Sequence, residues 1–159
     1  MGRMFTQRGY QLSDVISAIQ KEIRRGNEES AMYWALECIP RNEQYFWRRL
    51  IVIFNEDIGI ANPSLLQIIP SLRDQFFEFR DAGKNGTCRL ILANAILLMS
   101  RTPKSRIADH FQRFVSQESS TSVKREIPDH ALDNHTQTGR SMGRGTRFWL
   151  EEGCKLEPK

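Results

Sequence analysis

The sequence contains few cysteines, and their positions fit neither a disulfide framework nor a zinc site. Cys38, Cys88 and Cys154 are odd in number, lie far apart and form no CxxC pair. Small secreted domains and structural zinc sites both depend on closely paired cysteines. The cysteine pattern therefore argues against both classes and is compatible with a reducing cytosol.

Long hydrophobic runs are also missing. The longest, LILANAILLM (90–99), contains Asn94 and is about half as long as a segment that spans a bilayer. The first eleven residues contain no apolar core of the kind found in secretory signals. No association with a membrane is predicted.

The common motifs of catalytic and metal sites do not occur in the sequence. There is no GxSxG or HExxH, and Gly83-Lys84-Asn85 lacks the glycine spacing and the hydroxyl group of a GxxxxGK[ST] phosphate loop. Asp129, His130, Asp133 and His135 lie close together, but on a helix the two histidines would be about 140° apart. We therefore predict no catalytic residue, no metal site and no cofactor, and we expect that the chain alone is not an enzyme.

The composition is that of an ordinary globular protein with a mild excess of positive charge. Of the 159 residues, 40% are hydrophobic and 26% are charged, and the formal net charge is +4. A chain of this length buries roughly 68–70% of the surface that its unfolded form exposes. The charge permits an acidic or nucleic-acid partner without requiring one.

Apolar residues recur at helical spacing along most of the chain, with Gly and Pro at the junctions. Six segments show this spacing: 11–25, ended by Gly26; from the cap Asn27 to Pro40; about 42–58; from Asn62-Pro63 onward, with a kink or break at Pro70; about 87–100; and from Thr102-Pro103 onward. No stretch alternates convincingly with period two. We predict an all-α fold, a compact helical bundle.

The character of the sequence changes after Gln117. Residues 117–126, QESSTSVKRE, are polar and without periodicity, whereas 127–153 contains its own apolar residues, including Phe148 and Trp149. Two adjacent aromatic side chains exposed to water would form a hydrophobic patch that promotes aggregation. We predict a helical domain over 1–118, a linker over 119–126, and a C-terminal segment over 127–159 that has a short helix and a Gly/Arg turn and packs back on the helical body.

Two adjacent carboxylates end the apolar segment LIVIFNED (50–57). On a helix, Asp57 falls on the apolar stripe and Glu56 lies about 100° away, so the two acids do not converge on one substrate. They also oppose the helix dipole, with Arg48 and Arg49 on the N-terminal side. We predict that these four residues form a structural ion-pair or capping arrangement and not a catalytic pair.

Several motifs together resemble one family of AAA+ ATPases. They are RRLIVIFNEDIGIANP (48–63), Pro103-Lys104-Ser105, and in the tail Pro128, Thr136 and Gly143-Arg144-Gly145. In this order and spacing they resemble the C-terminal helical region of the replication-associated recombination protein A family, which includes the Werner-helicase-interacting protein. The resemblance covers most of 10–150. Asp133 departs from it, because much of the family has a basic residue there.

The resemblance implies an assembly role. In that family this region resembles a clamp-loader collar and holds four subunits together, while the ATPase module lies elsewhere in the parent protein. It implies a non-catalytic, tetrameric homo-oligomer acting in DNA replication, repair and recombination at stalled forks. The implied partners are an AAA+ ATPase subunit and DNA, and the implied location is cytoplasmic, at the nucleoid if the source is bacterial. The candidate interface residues are Trp34, Phe46, Trp47 and Leu97. The alternative is a monomer in which these residues belong to the core.

A small basic nucleic-acid-binding protein is the other hypothesis. GRSMGRGTR (139–147) contains Arg140, Arg144 and Arg147 with three glycines and no acid, so backbone and guanidinium groups can approach a phosphate. Residues 124–159, however, include seven basic and six acidic residues, so their net charge is only +1. The arginines are therefore either nucleic-acid ligands or groups that are solvated or paired within the chain.

Overall fold

The computed structural model describes residues 4–122 and 124–157, and over this part of the chain it contains eight α-helices and no strand, which confirms the predicted all-α class. The helices are α1 (Leu12–Arg25), α2 (Glu28–Glu37), α3 (Glu43–Asp57), α4 (Leu65–Asp81), α5 (Asn85–Arg101), α6 (Ile107–Ser119), α7 (Gln137–Ser141) and α8 (Thr146–Phe148). The chain forms two compact units, residues 1–115 and 116–159. Within the described residues, no helix is long and apolar enough to cross a bilayer.

The first helix ends where the sequence predicts. Gly26 has a φ of 76°, a left-handed conformation that glycine adopts without strain. Its N–H donates to the carbonyl of Ile23, and the N–H of Asn27 donates to that of Glu22, so two of the last four carbonyls of α1 are satisfied. The apolar side of α1 is buried in the first unit, where the helix packs on α2, α3 and α5.

Helix α3 supplies the largest side chains of the core. Phe46 and Trp47 are fully buried, and the Trp47 ring lies 5.6 Å from the Phe46 ring and 5.4 Å from that of Phe76 on α4. Both residues lie on the same stripe of α3 as Leu50 and Ile53, which faces the interior. The sequence offered Phe46 and Trp47 as interface residues, but this position makes them core residues.

Pro70 does not break α4. The helix is continuous from Leu65 to Asp81, although the sequence predicted a kink or break at this residue. A proline inside a helix removes one N–H and frees the carbonyl four residues earlier. That residue is Leu66, which is exposed, so water can reach its carbonyl.

The predicted start of the sixth helix is wrong. Residues 103–106 are not helical, and α6 begins at Ile107. Pro103 disfavours a helical conformation at Thr102, which is extended. The Lys104 ammonium then donates to the carbonyls of Ser100 at 2.9 Å and Thr102 at 2.6 Å, and so caps the end of α5. Burial lowers the pKa of Lys104.

The second unit is built around a close approach between α7 and the segment that precedes it. The Thr136 hydroxyl accepts a hydrogen bond from the N–H of Gly139 at 2.9 Å and so caps α7. A Cβ atom on Gly139 would lie 1.9 Å from the carbonyl oxygen of Asp133 and 2.5 Å from that of Leu132. Only glycine fits this backbone contact.

Candidate functional site

Asp57 is the centre of an ion-pair network that joins α1, α3 and the residue before α6. Its side chain is 1% exposed. Nη2 of Arg24 lies 3.1 Å from both carboxylate oxygens, Nη1 of Arg106 donates at 2.8 Å, and Nε2 of Gln20 donates at 3.0 Å. A buried carboxylate is tolerated only with such partners. The main-chain carbonyl of Asp57 also accepts a hydrogen bond from the N–H of Ser105 at 2.8 Å.

Glu56 takes part in the same network through a shared donor. Nε2 of Gln20 donates to Glu56 at 2.6 Å as well as to Asp57. The sequence predicted that the two acids do not converge on one substrate, because they leave the helix about 100° apart. The structure shows one contact that this spacing did not indicate: a long amide side chain from α1 reaches both carboxylates. The two acids therefore join two helices, and the partners of Asp57 leave it no open access to a substrate.

Arg48 and Arg49 lie away from these acids. They precede Asp57 by more than two turns of α3, which corresponds to about 12 Å along the helix axis. Arg48 is exposed, and Nε of Arg49 is buried without a hydrogen-bond partner among the described residues. The cations that pair with Asp57 are Arg24 and Arg106, and no local spacing in the sequence points to either.

The polar side of α6 is attached to this network. Asp109 is the only buried residue of the helix. It pairs with Arg106, which therefore bridges Asp57 and Asp109, and with Nε of Arg113 at 2.9 Å. The hydrogen bond from Arg113 is the main reason that the pKa of Asp109 lies below its usual value. The helix is thus held by its charged residues.

As a consequence, α6 exposes its apolar side. Ile107, Phe111 and Phe114 are 62%, 69% and 69% exposed, and Val115 is 37% exposed. These four residues follow the spacing i, i+4, i+7, i+8 of one helix face and are called here the α6 stripe. Amphipathic helices of globular proteins normally turn this side toward the core. An exposed aromatic stripe of this kind is typical of a protein contact surface.

Trp34 and Leu97, the other candidate interface residues, are half-buried at the surface of the first unit. The Trp34 ring makes edge contacts with the rings of Tyr10 at 5.4 Å and Tyr33 at 5.0 Å. Leu97 lines a shallow apolar groove between α2 and α5, together with Met32 and Ala93. Both side chains remain available for a contact, in contrast to Phe46 and Trp47.

Arg144 is a structural residue of the second unit. Nη1 donates to the carbonyls of Asp129 at 2.7 Å and Leu132 at 3.0 Å, and Nη2 pairs with the Asp129 carboxylate. The guanidinium lies over the ring of Phe148, 4.1 Å from its centre, and the side chain is only 15% exposed. Both terminal nitrogens of the guanidinium, which would have to donate to a phosphate, already donate within the unit.

The other two arginines of 139–147 also have partners within the second unit. Nη1 of Arg140 donates to the carbonyls of Asn134 and His135, each at 3.3 Å. Arg147 is 89% exposed, and its Nε donates to Glu151 at 2.9 Å. Of the two interpretations that the sequence left open, the geometry favours pairing within the chain.

His135 takes part in local contacts with Asp133. The N–H of His135 donates to Asp133 at 2.8 Å, and Nδ1 of His135 lies 3.2 Å from the same carboxylate. These two hydrogen bonds, the backbone one first, lower the pKa of Asp133. In the part of the chain that the structure describes, no three His, Cys, Asp or Glu side chains are placed to hold a metal ion.

Several known proteins with similar sequences are replication-associated recombination proteins. The family described as MgsA AAA+ ATPase C terminal matches residues 26–154. Three relatives are named Replication-associated recombination protein A. They are 27% identical to this chain in Haemophilus influenzae, 30% in Bacillus subtilis and 26% in Escherichia coli K12. Each match covers 91% of this chain, but only 32% of the Haemophilus influenzae and Escherichia coli proteins and 36% of the Bacillus subtilis protein. The chain therefore spans about a third of the length of these relatives. The chain belongs to the MgsA AAA+ ATPase C-terminal family.

Proposed function

We propose that this chain is the non-catalytic assembly module of a replication-associated AAA+ ATPase, and that copies associate through the α6 stripe. The family match and the names of the relatives support the link to replication and recombination. The observation that carries the assembly role is the exposure of Phe111 and Phe114 on a helix fixed by its polar side. The module acts in the cytoplasm, and the assembled ATPase, not this chain alone, binds DNA.

Burial of the stripe would contribute favourable free energy to association. Burying one large apolar side chain contributes roughly 1.5–3 kcal/mol, and aromatic residues are enriched in the centres of protein interfaces. Phe111 and Phe114 are one turn apart, so a second helix can cover both at once. Arg113, on the polar side of α6, is exposed and remains outside such a contact.

The network around Asp57 supports this role because it fixes α6 with the stripe exposed. Arg106 pairs with Asp57 on one side and Asp109 on the other, immediately before and within the first turn of α6. A helix held in this way loses less conformational freedom when it binds a partner, which raises affinity. Four is the number of copies that the resemblance implies, and a closed symmetric assembly fits that number.

Replacing both phenylalanines by serine (Phe111→Ser with Phe114→Ser) is expected to abolish self-association. We expect light scattering to give a wild-type mass above the 18.5 kDa of one chain between about 1 and 100 µM. The double variant is expected to give the mass of one chain, because the centre of the contact is lost. Thermal melting at low concentration checks that the variant is folded.

The matched control removes two apolar side chains elsewhere on the first unit. Leu66 and Leu90 are also exposed but lie on α4 and α5, outside the stripe. The control, Leu66→Ser with Leu90→Ser, is expected to retain the wild-type mass. A wild-type protein that stays monomeric over this concentration range would contradict the proposal, as would an equal loss of self-association in the two double variants.

A further inference from the structure

The first unit contains a cavity that the assembly role does not use. It has a volume of about 470 Å³, which lies within the range of ligand-binding pockets. Its lining residues come from the N-terminal segment, the end of α2, the start of α3, and the two ends of α4 and α5 that meet at their turn. None of them belongs to α6.

The floor of this cavity is apolar. Leu36 and Ile39, which are half-buried, line it together with the buried side chains of Phe76 and Leu92. Cys88 also belongs to the lining, and its thiol donates to the carbonyl of Phe76. A bulky aliphatic or aromatic side chain would replace water here without loss of a polar contact.

The mouth of the cavity carries three arginines. Arg8 forms an ion pair through Nε with Glu37, whose side chain is completely buried. Arg80 donates to Glu43 at 2.7 Å, and Glu43 is also buried. These buried carboxylates hold Arg8 and Arg80 in place, and Arg80 also pairs with the exposed carboxylate of Asp81 at 2.7 Å. The positive charge that a ligand can use therefore comes mainly from Arg89 and from the terminal nitrogens of Arg8.

Two of these arginines retain donors for a ligand. The ion pair of Arg8 uses Nε, and its two terminal nitrogens make no hydrogen bond to a described residue. Arg89 is exposed and makes no ion pair with any described residue. A guanidinium with free terminal nitrogens binds a carboxylate through two parallel hydrogen bonds.

We infer that this cavity binds a short segment of a partner protein in which a carboxylate side chain stands next to a bulky apolar one. The apolar side chain enters the floor, and Arg8 and Arg89 bind the carboxylate. Peptide recognition commonly combines one apolar anchor with a few charged contacts at its edge. The half-buried Leu36 and Ile39 offer the apolar surface for this side chain. A nucleic-acid strand fits the site less well, because Phe76 is the only aromatic among the lining residues given by the described part of the chain, and it is too buried for a base to stack on it.

Fluorescence anisotropy of labelled peptides on the full chain tests this inference. The probes are Asp-Asp-Leu-Phe and Glu-Glu-Ile-Trp, each with one matched peptide in which amides replace the acids and another in which glycines replace the apolar residues. We expect each acidic–apolar probe to bind at least tenfold more tightly than either of its matched peptides. Amide chemical shifts of Cys88 and Leu92 are expected to move on binding.

Charge reversal at Arg89 locates the binding. Arg89→Glu is expected to weaken the binding of Asp-Asp-Leu-Phe at least tenfold and to strengthen that of Lys-Lys-Leu-Phe, because residue 89 changes from a cation to an anion. Arg25→Glu, which makes the same charge change at an exposed residue outside the cavity, is expected to leave the affinities near wild type. Circular dichroism checks that both variants are folded.

Three results would overturn the inference. One is that no acidic–apolar probe binds at millimolar concentration. Another is equal weakening by Arg89→Glu and Arg25→Glu, which would indicate general charge attraction. The third is that a single-stranded oligonucleotide, and not the peptides, binds in an Arg89-dependent way. Self-association is measured separately and does not depend on Arg89, so failure here is distinguishable from failure of the assembly proposal.

Discussion

Replacing Asp57 by alanine is expected to lower the free energy of unfolding by about 3–5 kcal/mol, because it removes one partner of a buried ion-pair network. Arg24 and Arg106 would lose their shared acceptor, and Nε of Arg24 is already buried without a hydrogen bond to any residue that the structure describes. Gln20 would lose one of its two acceptors. For a domain of this size the melting temperature should fall by about 10 °C. Thermal unfolding followed by fluorescence of the buried Trp47 measures the change.

Glu56→Ala is the matched control, since it deletes the neighbouring carboxylate on the same helix. Glu56 is half-buried and accepts one hydrogen bond, from Gln20, which also donates to Asp57. The expected loss is about 1 kcal/mol, the usual net contribution of one hydrogen bond. Equal melting temperatures for the two variants would contradict the central position of Asp57 in the network.

Gly139→Ala is expected to destabilise the second unit strongly. The new Cβ would overlap the carbonyl oxygens of Asp133 and Leu132, at 1.9 and 2.5 Å, and neither is the flexible end of a side chain. Either the backbone near Asp133 must move or α7 must lose its Thr136 cap. Overpacking typically costs about 1–3 kcal/mol and occasionally more, and we expect a cost at the upper end of this range because the overlap is with backbone atoms. Hydrogen exchange of the amides in 128–153 is expected to become faster.

Gly86→Ala serves as the control for this substitution. Gly86 lies in the first turn of α5, and a Cβ atom there meets no other atom within 4 Å. Alanine in a helix is more favourable than glycine by roughly 0.5–1 kcal/mol, so exchange in α5 should stay the same or become slower. If Gly139→Ala left exchange in the second unit at the wild-type rate, the close approach described above would be wrong.

The elements that depend on local spacing could be predicted from the sequence. The apolar repeat and Gly26 define α1, and the same frame on α3 places Asp57 on the buried stripe. The partners of Asp57 could not be predicted, because Arg24 and Arg106 are 33 and 49 residues away in the chain. Pairing at such distances depends on how helices pack, and a single sequence carries no local signal for it.

The same limit applies to α6 and to the arginines of the tail. Periodicity places Ile107, Phe111 and Phe114 on one face, but the ion pairs of Asp109 determine that this face is exposed. Within 139–147 there is no acid, which made the arginines resemble a phosphate site. The acid that pairs with Arg144 is Asp129, 15 residues earlier in the chain.

Nuclear Overhauser contacts between copies test most directly whether the α6 stripe joins two molecules. A sample that mixes methyl-labelled and unlabelled chains reports only contacts that cross from one copy to another. We predict cross-copy contacts from the methyl groups of Ile107 and Val115 to the aromatic protons of Phe111 and Phe114. An associated protein in which these methyl groups contact only their own chain would contradict the account.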